Sequence, residues 1–131
     1  MLDYLLSKGC VFAGRFKCID HEKYFIVLGV SKDKESCCSV FINSKIPRYI
    51  QNNYAALSLQ VNIRGEKYGF LTHDSFISCG SIQKHAISDL YKCRYLGKID
   101  EDDLWNALNT IKNSDVLTEM ERDLYFYDFV C

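Results

Sequence analysis

The residue types best suited to chemistry cluster at three polar corners, each of which borders a predicted strand. The first corner is the charged run Asp20-His21-Glu22-Lys23, which lies between two β-type segments. His21 can exchange a proton near neutral pH, and Lys23 can hold a phosphate. A solvated hairpin turn is the alternative interpretation, because turns are usually charged.

The second corner is Asn43-Ser44-Lys45, at the end of an apolar run that predicts a strand. Polar side chains that emerge where a strand ends are well placed to line a groove, and Lys45 adds a cation. Alternatively, Asn43 and Ser44 only hydrogen-bond the local backbone before Pro47. Both interpretations stay open.

The third corner is Thr72-His73-Asp74-Ser75, at the start of another predicted strand. In the functional interpretation His73 transfers a proton and Asp74 orients it. In the structural one, Asp74 and Ser75 satisfy backbone donors of a turn.

A modest basic cluster lies further along the chain. It consists of Lys84-His85 and Lys92-Cys93-Arg94, with Tyr91 and Tyr95 interleaved. Such a pattern can hold single-stranded RNA by phosphate contact and stacking, but it is equally typical of ordinary surface.

Composition and motif searches exclude several other classes. The net charge of −1 gives no overall basic field for nucleic acid, so a polyanion must meet a local patch. There is no Gly-rich phosphate loop, Gly-x-Ser-x-Gly elbow or His-Glu-x-x-His motif. The seven cysteines contain no Cys-x-x-Cys pair, which argues against a structural metal site. With no signal-peptide pattern and no long apolar run, the sequence predicts reduced thiols, a cytoplasmic location and no membrane span.

Hydrophobic periodicity predicts short strands followed by two helices. The predicted strands are Gly9–Ile19, Tyr24–Val30, Cys37–Asn43, Leu57–Ile63, Ser75–Ile82 and Cys93–Leu96. Helix 101–112 begins at an Asp100 cap and buries Leu104, Trp105, Leu108 and Ile111. A capping box from Thr118 to Glu121 starts a last helix that turns Met120, Leu124 and Tyr127 inward. Residues 1–131 therefore predict one domain, a small curved β-sheet or partial barrel with helices packed on it.

Five short motifs follow one another in a defined order. They are Gly9-Cys10-Val11, the strand 24–28, Ile42-Asn43-Ser44, Tyr68-Gly69-Phe70 with Asp74-Ser75-Phe76-Ile77, and Leu96-Gly97 before the capped helix. In this order they resemble the toxin ribonucleases of the MazF/PemK type. The family's arginine before a Pro-Val-Leu-Val strand is replaced here by Lys23 or Tyr24. A ToxN-like subgroup of the same fold uses lysine with a Thr-Ser pair, a pattern that Lys23, Ser44 and Lys45 suit better.

The resemblance implies an SH3-like curved β-barrel with C-terminal helices, a homodimer, and an antitoxin whose segment fills the RNA groove. It also implies cleavage of single-stranded RNA without metal or cofactor. We assign Lys23 or Lys45 to the phosphate, Ser44 to positioning, and His21 or His73 to proton transfer. RNA binding or positioning is assigned to Asn43, Asp74, Ser75 and Lys84. Loss of the arginine leaves two alternatives: a lysine substitute, or a non-catalytic RNA- or protein-binding module on the same barrel.

Overall fold

Three consecutive antiparallel strands form the centre of the fold. In the computed structural model, which describes residues 6–17 and 19–128, they are β1 (Cys10–Gly14), β2 (Lys23–Val30) and β3 (Ser36–Asn43). Their aromatic and β-branched residues favour strands. The first strand is shorter than the predicted Gly9–Ile19. It ends at Gly14, where a Cβ would lie 2.7 Å from the Sγ of Cys93.

The remaining elements are short. They are α1 (Arg48–Gln51), α2 (Tyr54–Leu57), β4 (Gln60–Ile63), a 3₁₀ turn (Gly65–Lys67), β5 (Ser75–Ser78), β6 (Gln83–Ala86), a second 3₁₀ turn (Ile87–Lys92), β7 (Arg94–Lys98), α3 (Glu101–Lys112) and α4 (Glu119–Tyr125). The predicted extents of two strands were wrong. Leu57 ends a helix that Asn53 caps, and a turn at Gly80 separates β5 from the unpredicted β6.

All seven strands belong to one antiparallel sheet. Its order is β4-β5-β3-β2-β1-β7, and β6 pairs with the beginning of β3. This arrangement confirms the prediction of a mainly β fold with C-terminal helices. The sheet is open rather than a closed barrel, because no ladder among the described residues joins β4 to β7. Register shifts after Val11 and Val27 mark irregular points in two ladders, and such bulges bend strands.

Hydrophobic side chains cover both faces of the central strands. On one face, Ile26 and Val40 of the strands pack with Ile111 of α3 and with α4. On the other face, Phe12 and Phe25 pack with Leu90 of the second 3₁₀ turn. The adjacent Cys37 and Cys38 lie in opposite cores, as the alternation of side chains along a strand predicts.

The two C-terminal helices begin where the sequence predicts. The Asp100 side chain accepts a hydrogen bond of 2.8 Å from the Asp103 backbone N–H. At α4, the Thr118 hydroxyl accepts from the Glu121 N–H at 3.1 Å, and the Glu121 carboxylate accepts from the Thr118 N–H at 2.9 Å. Both predicted caps are confirmed.

The predicted buried faces of these helices were partly wrong. Trp105 is 51% exposed, and Ala107 is buried instead. Met120, Leu124 and Tyr127 are all exposed, whereas Tyr125 and Phe126 enter the core. For α4, the reason is a close approach of the Tyr125 backbone to Gly29, where no Cβ would fit. That approach determines which side of the short helix faces the sheet.

The described cysteines form no disulfide bonds with one another. Cys10, Cys37, Cys38 and Cys79 are buried, and Cys93 is half-buried. Burial raises the pKa of the Cys37, Cys38 and Cys79 thiols to about 12, which keeps them protonated. Cys18 and Cys131 lie outside the described residues. In the described ranges, no helix has the length and apolar character needed to cross a bilayer.

Candidate active-site groove

A groove of about 350 Å³ opens where β2 begins, β3 ends and the loop before β5 passes across them. The β2–β3 pairing places Tyr24 opposite Ile42, so the next pair outward is Lys23 and Asn43. The groove is lined by His21, Glu22, Lys23, Tyr24, Ile42, Asn43, Ser44, Lys45, Phe70, Leu71, Thr72, His73 and Ser75. Residues from all three polar corners therefore share one surface.

Two contacts hold the Lys23 side chain in this groove. Its ammonium donates a short hydrogen bond to the Asn43 side-chain oxygen. It also lies 5.1 Å from the centre of the Phe41 ring, within cation–π range. Partial burial lowers the pKa of Lys23 below its ordinary value, because desolvation disfavours the charged form. Lys23 is thus a fixed cation whose proton is more easily lost than that of a surface lysine.

Lys45 provides a second, more exposed cation. It follows β3 together with Ser44, and both side chains border the groove. Within the described ranges, no carboxylate lies within ion-pair distance of the Lys45 ammonium. Glu22, the carboxylate that lines the groove, bonds to Arg94 at 2.8 Å. Lys45 therefore remains available to an anion.

Two exposed histidines border the groove, and each is anchored through Nδ1. His21 Nδ1 lies 2.9 Å from the Asp20 carboxylate, and this hydrogen bond lowers the pKa of Asp20. His73 Nδ1 lies 2.9 Å from the Thr72 hydroxyl. No described residue bonds to Nε2 of either ring. With Nδ1–H donated to Asp20, Nε2 of neutral His21 carries the lone pair, which is the arrangement of a general base.

The loop that carries His73 is fixed by backbone contacts. The Asp74 carboxylate accepts a 2.9 Å hydrogen bond from the Gly65 N–H, and the buried Ser75 hydroxyl donates to the His73 carbonyl at 3.2 Å. A Cβ on Gly65 would lie 2.5 Å from the His73 carbonyl oxygen. Asp74 and Ser75 thus make the turn-stabilising bonds of the structural interpretation, and Ser75 also reaches the groove.

Lys84 lies away from the groove. It is on β6, opposite Cys38, about five residues from the groove end of β3, roughly 17 Å along the strand. Its ammonium bonds to Glu121 at 2.9 Å, which raises the pKa of Lys84. The structure does not bring Lys84 together with the other candidate residues.

Sequence patterns missed the apolar walls of the groove and the role of His85. Tyr24, Phe70 and Leu71 flank the cations, and the Tyr-Gly-Phe motif was the signal for Phe70. His85 stacks on Phe25 at 5.0 Å between ring centres and bonds to the buried Ser39 hydroxyl at 2.7 Å. Burial lowers the pKa of His85. A histidine between Lys84 and Ala86 gives no sequence signal for such a half-buried position against Phe25.

Comparisons with known proteins match at the level of structure. Twenty-six chains of solved structures are similar to this one. Among them, the toxin MazF-mt6 of Mycobacterium tuberculosis superimposes with a TM-score of 0.52 at 13% sequence identity, covering 81% of this chain and 94% of that chain. No protein-family model and no curated protein sequence match. The chain therefore has a MazF-like fold, with the groove at the ends of β2 and β3.

Proposed function

We propose that this protein is a toxin-type endoribonuclease that cleaves single-stranded RNA without a metal ion. The observation that carries the proposal is the groove, which gathers two lysines, two histidines and two serines on a MazF-like fold. Neither a groove nor a fold is sufficient alone, because folds host many functions. The combination supplies every group that cleavage through the ribose 2′-hydroxyl requires.

In this reaction the 2′-oxygen attacks the adjacent phosphorus, and the bond from phosphorus to the 5′-oxygen of the next nucleotide breaks. A base takes the 2′-hydroxyl proton, cations stabilise the charged phosphorane, and an acid protonates the leaving 5′-oxygen. The products are a 2′,3′-cyclic phosphate and a 5′-hydroxyl. Proton transfer is balanced by the base and the acid, so the step needs no further reactant.

The geometry suggests a division of roles among the groove residues. Lys23, fixed by Asn43, is suited to a non-bridging phosphate oxygen in the transition state. Lys45 is suited to the incoming RNA because no described carboxylate neutralises it. His21 is the better base of the two histidines because Asp20 accepts from Nδ1–H, which orients the ring and leaves Nε2 with the lone pair. His73 then serves as the acid, and Ser44 positions the phosphate.

The direct test is incubation of the purified protein with a long, unstructured RNA in EDTA. Cleavage with 2′,3′-cyclic phosphate ends is expected. Replacing both Lys23 and Lys45 with alanine should abolish cleavage and also growth arrest on expression in bacteria. Lys34→Ala, on the turn at the opposite end of the β2–β3 hairpin, is the matched control. Unchanged toxicity of the double variant would refute the assignment.

A second candidate is a binding module on the same fold without catalysis. The observation that favours it is that one of the groove's two cations, Lys23, is already engaged by Asn43. Under this alternative, the protein binds RNA or a protein segment in the groove but leaves RNA intact in EDTA. The same incubation, read alongside RNA binding, separates the two functions.

The MazF-like fold also motivates proposals about partners. We expect a homodimer and a cognate antitoxin with an acidic segment that occupies the groove beside Lys45, both in the cytoplasm. Mass measurement in solution tests the dimer, which should have twice the 15.2 kDa of the chain. Co-purification with the product of an adjacent small reading frame tests the antitoxin.

A further inference from the structure

The connection between β3 and β4 leaves two aromatic rings unusually exposed. This two-helix connection, residues 44–59, contains α1 and α2, and neither helix has a buried residue. Tyr49 is 77% exposed and Tyr54 is 88% exposed. Rings of this size normally bury much of their area, so two nearly free rings in one connection call for an explanation.

The same part of the chain lacks acidic residues. From Ser36 to Gly65 there is no Asp or Glu, whereas Lys45 and Arg48 are present; a third basic residue, Arg64, pairs with Glu66 at 2.6 Å. Although the whole chain has a net charge of −1, the local excess of positive charge here attracts a polyanion. The amides of Gln51, Asn52 and Asn53 add neutral hydrogen-bonding groups between the two tyrosines.

Local hydrogen bonds hold the connection in one conformation. The Gln51 side chain donates to the Ile46 carbonyl at 2.7 Å, and the Asn53 side chain accepts from the Ala56 N–H at 3.1 Å to cap α2. Pro47 fixes the start of α1. The rings are thus presented by an ordered backbone, which reduces the entropy lost when a ligand binds.

The connection is also continuous with the groove. Lys45 lines the groove, and Tyr49 follows only four residues later, at most about 14 Å along the chain. That distance matches a few nucleotides of single-stranded RNA leaving the groove. Basic residues along the backbone path, with aromatic rings beside it, are the usual composition of a single-strand binding surface.

We propose that the two-helix connection is a base-stacking surface on which Tyr49 and Tyr54 bind nucleotides of single-stranded RNA that extend beyond the groove, with Arg48 contacting a phosphate. This inference rests on the proposed function for the identity of the RNA, and it adds the part of the protein that distinguishes long substrates from short ones.

The test measures binding of fluorescein-labelled 2′-O-methyl oligouridylates, which lack the attacking hydroxyl and cannot be cleaved. A short probe of about four nucleotides fills the groove, and a long one of about twelve also reaches the connection. The double variant Y49A/Y54A removes two stacked bases and should bind the long probe at least about thirtyfold more weakly than wild type, with little change for the short probe. The double variant Y49F/Y54F should retain wild-type affinity, because stacking needs the ring and not the hydroxyl.

Tyr127→Ala, at a partly exposed ring near the C-terminus, is the control for a general effect of removing tyrosine. The inference is overturned if wild type and Y49A/Y54A bind the long probe with equal affinity. This holds also if the variant differs from wild type in oligomeric state. Failure of wild type to bind the long probe also overturns it. If wild type fails to cleave RNA while Y49A/Y54A loses affinity for the long probe, the proposed nuclease fails and the stacking surface stands.

Discussion

At the scale of single residues, Lys23 connects the chemistry of the groove to pH. Its ammonium is partly desolvated and is bonded to a neutral amide rather than to a carboxylate. No negative charge therefore offsets the cost of burial, and the pKa falls. The same desolvation strengthens its attraction to a phosphorane, since electrostatic interactions grow as water is excluded.

This predicts an alkaline limit to activity that belongs to Lys23. As pH rises through the lowered pKa, Lys23 loses its proton and its charge, so kcat/KM for RNA should fall at a pH below the ordinary lysine value of 10.5. Lys23→Arg should remove this limit, because arginine stays charged throughout that range. Initial rates against pH, corrected for spontaneous RNA hydrolysis, provide the measurement. Lys45→Arg should leave the alkaline limit in place. A pH–rate profile of Lys23→Arg identical to that of wild type would contradict the prediction.

The role of Asp74 can be determined by testing whether cleavage depends on its negative charge. Its carboxylate accepts a hydrogen bond from the Gly65 N–H, whereas the Thr72 hydroxyl occupies Nδ1 of His73. Asp74→Asn keeps an acceptor oxygen and should retain most of the cleavage rate. Asp74→Ala leaves the Gly65 donor without this partner and should destabilise the protein by about 1 kcal/mol. Rates and urea unfolding of both variants test this. A large loss of rate in Asp74→Asn would instead indicate that its charge acts on His73.

At the scale of elements, the β2–β3 hairpin explains why the sequence could anticipate half of the groove. Two apolar runs joined by a polar turn must pair as antiparallel strands, so the beginning of β2 meets the end of β3. Lys23 and Asn43 become neighbours through this pairing and the register shift after Val27, since an unshifted ladder would place Tyr24 opposite Asn43. The caps at Asp100 and Thr118 were equally predictable, because a cap depends on residues within one helical turn.

The other half of the groove depends on contacts distant in sequence. The loop that carries His73 is positioned by the packing of Gly65 against the His73 backbone, which no local pattern reveals. The buried side of α4 was misjudged for a similar reason, since the approach of Tyr125 to Gly29 overrides the spacing of Met120 and Leu124. Short helices carry too few apolar residues to define a face by periodicity.

Gly65 therefore offers a test of how the loop supports the site. Gly65→Ala places a methyl group 2.5 Å from the His73 carbonyl oxygen, so the loop must move. We expect a loss of about 1–3 kcal/mol in the free energy of unfolding, together with slower cleavage. Gly69→Ala is the matched control, because a Cβ there would meet nothing within 4 Å. Urea denaturation and cleavage rates measure both effects. Equal behaviour of the two variants would show that the loop tolerates the displacement.

At the scale of the whole molecule, the central strands are buried on both faces and the functional groups lie at their ends. Cores on both sides of β2 and β3 hold these strands rigidly, and a rigid sheet fixes the distance between Lys23 and its neighbours. The surface charge is nearly balanced at −1, so RNA is attracted by local cations and not by a general field. Affinity should therefore depend on very few phosphate contacts.

The salt dependence of RNA binding measures that number. If Lys23, Lys45 and Arg48 are the cations that contact phosphates, the slope of log K against log salt should be about −2, since each phosphate of a single strand contributes about −0.7. Lys45→Gln should make the slope shallower by about 0.7, whereas Lys34→Gln should not change it. A much steeper slope would mean that the RNA also follows the basic pocket of Arg15, Lys17 and Lys92 on the far side of Glu22. That outcome would contradict a path from the groove onto the two-helix connection alone, because the two routes leave the groove in different directions and use different cations.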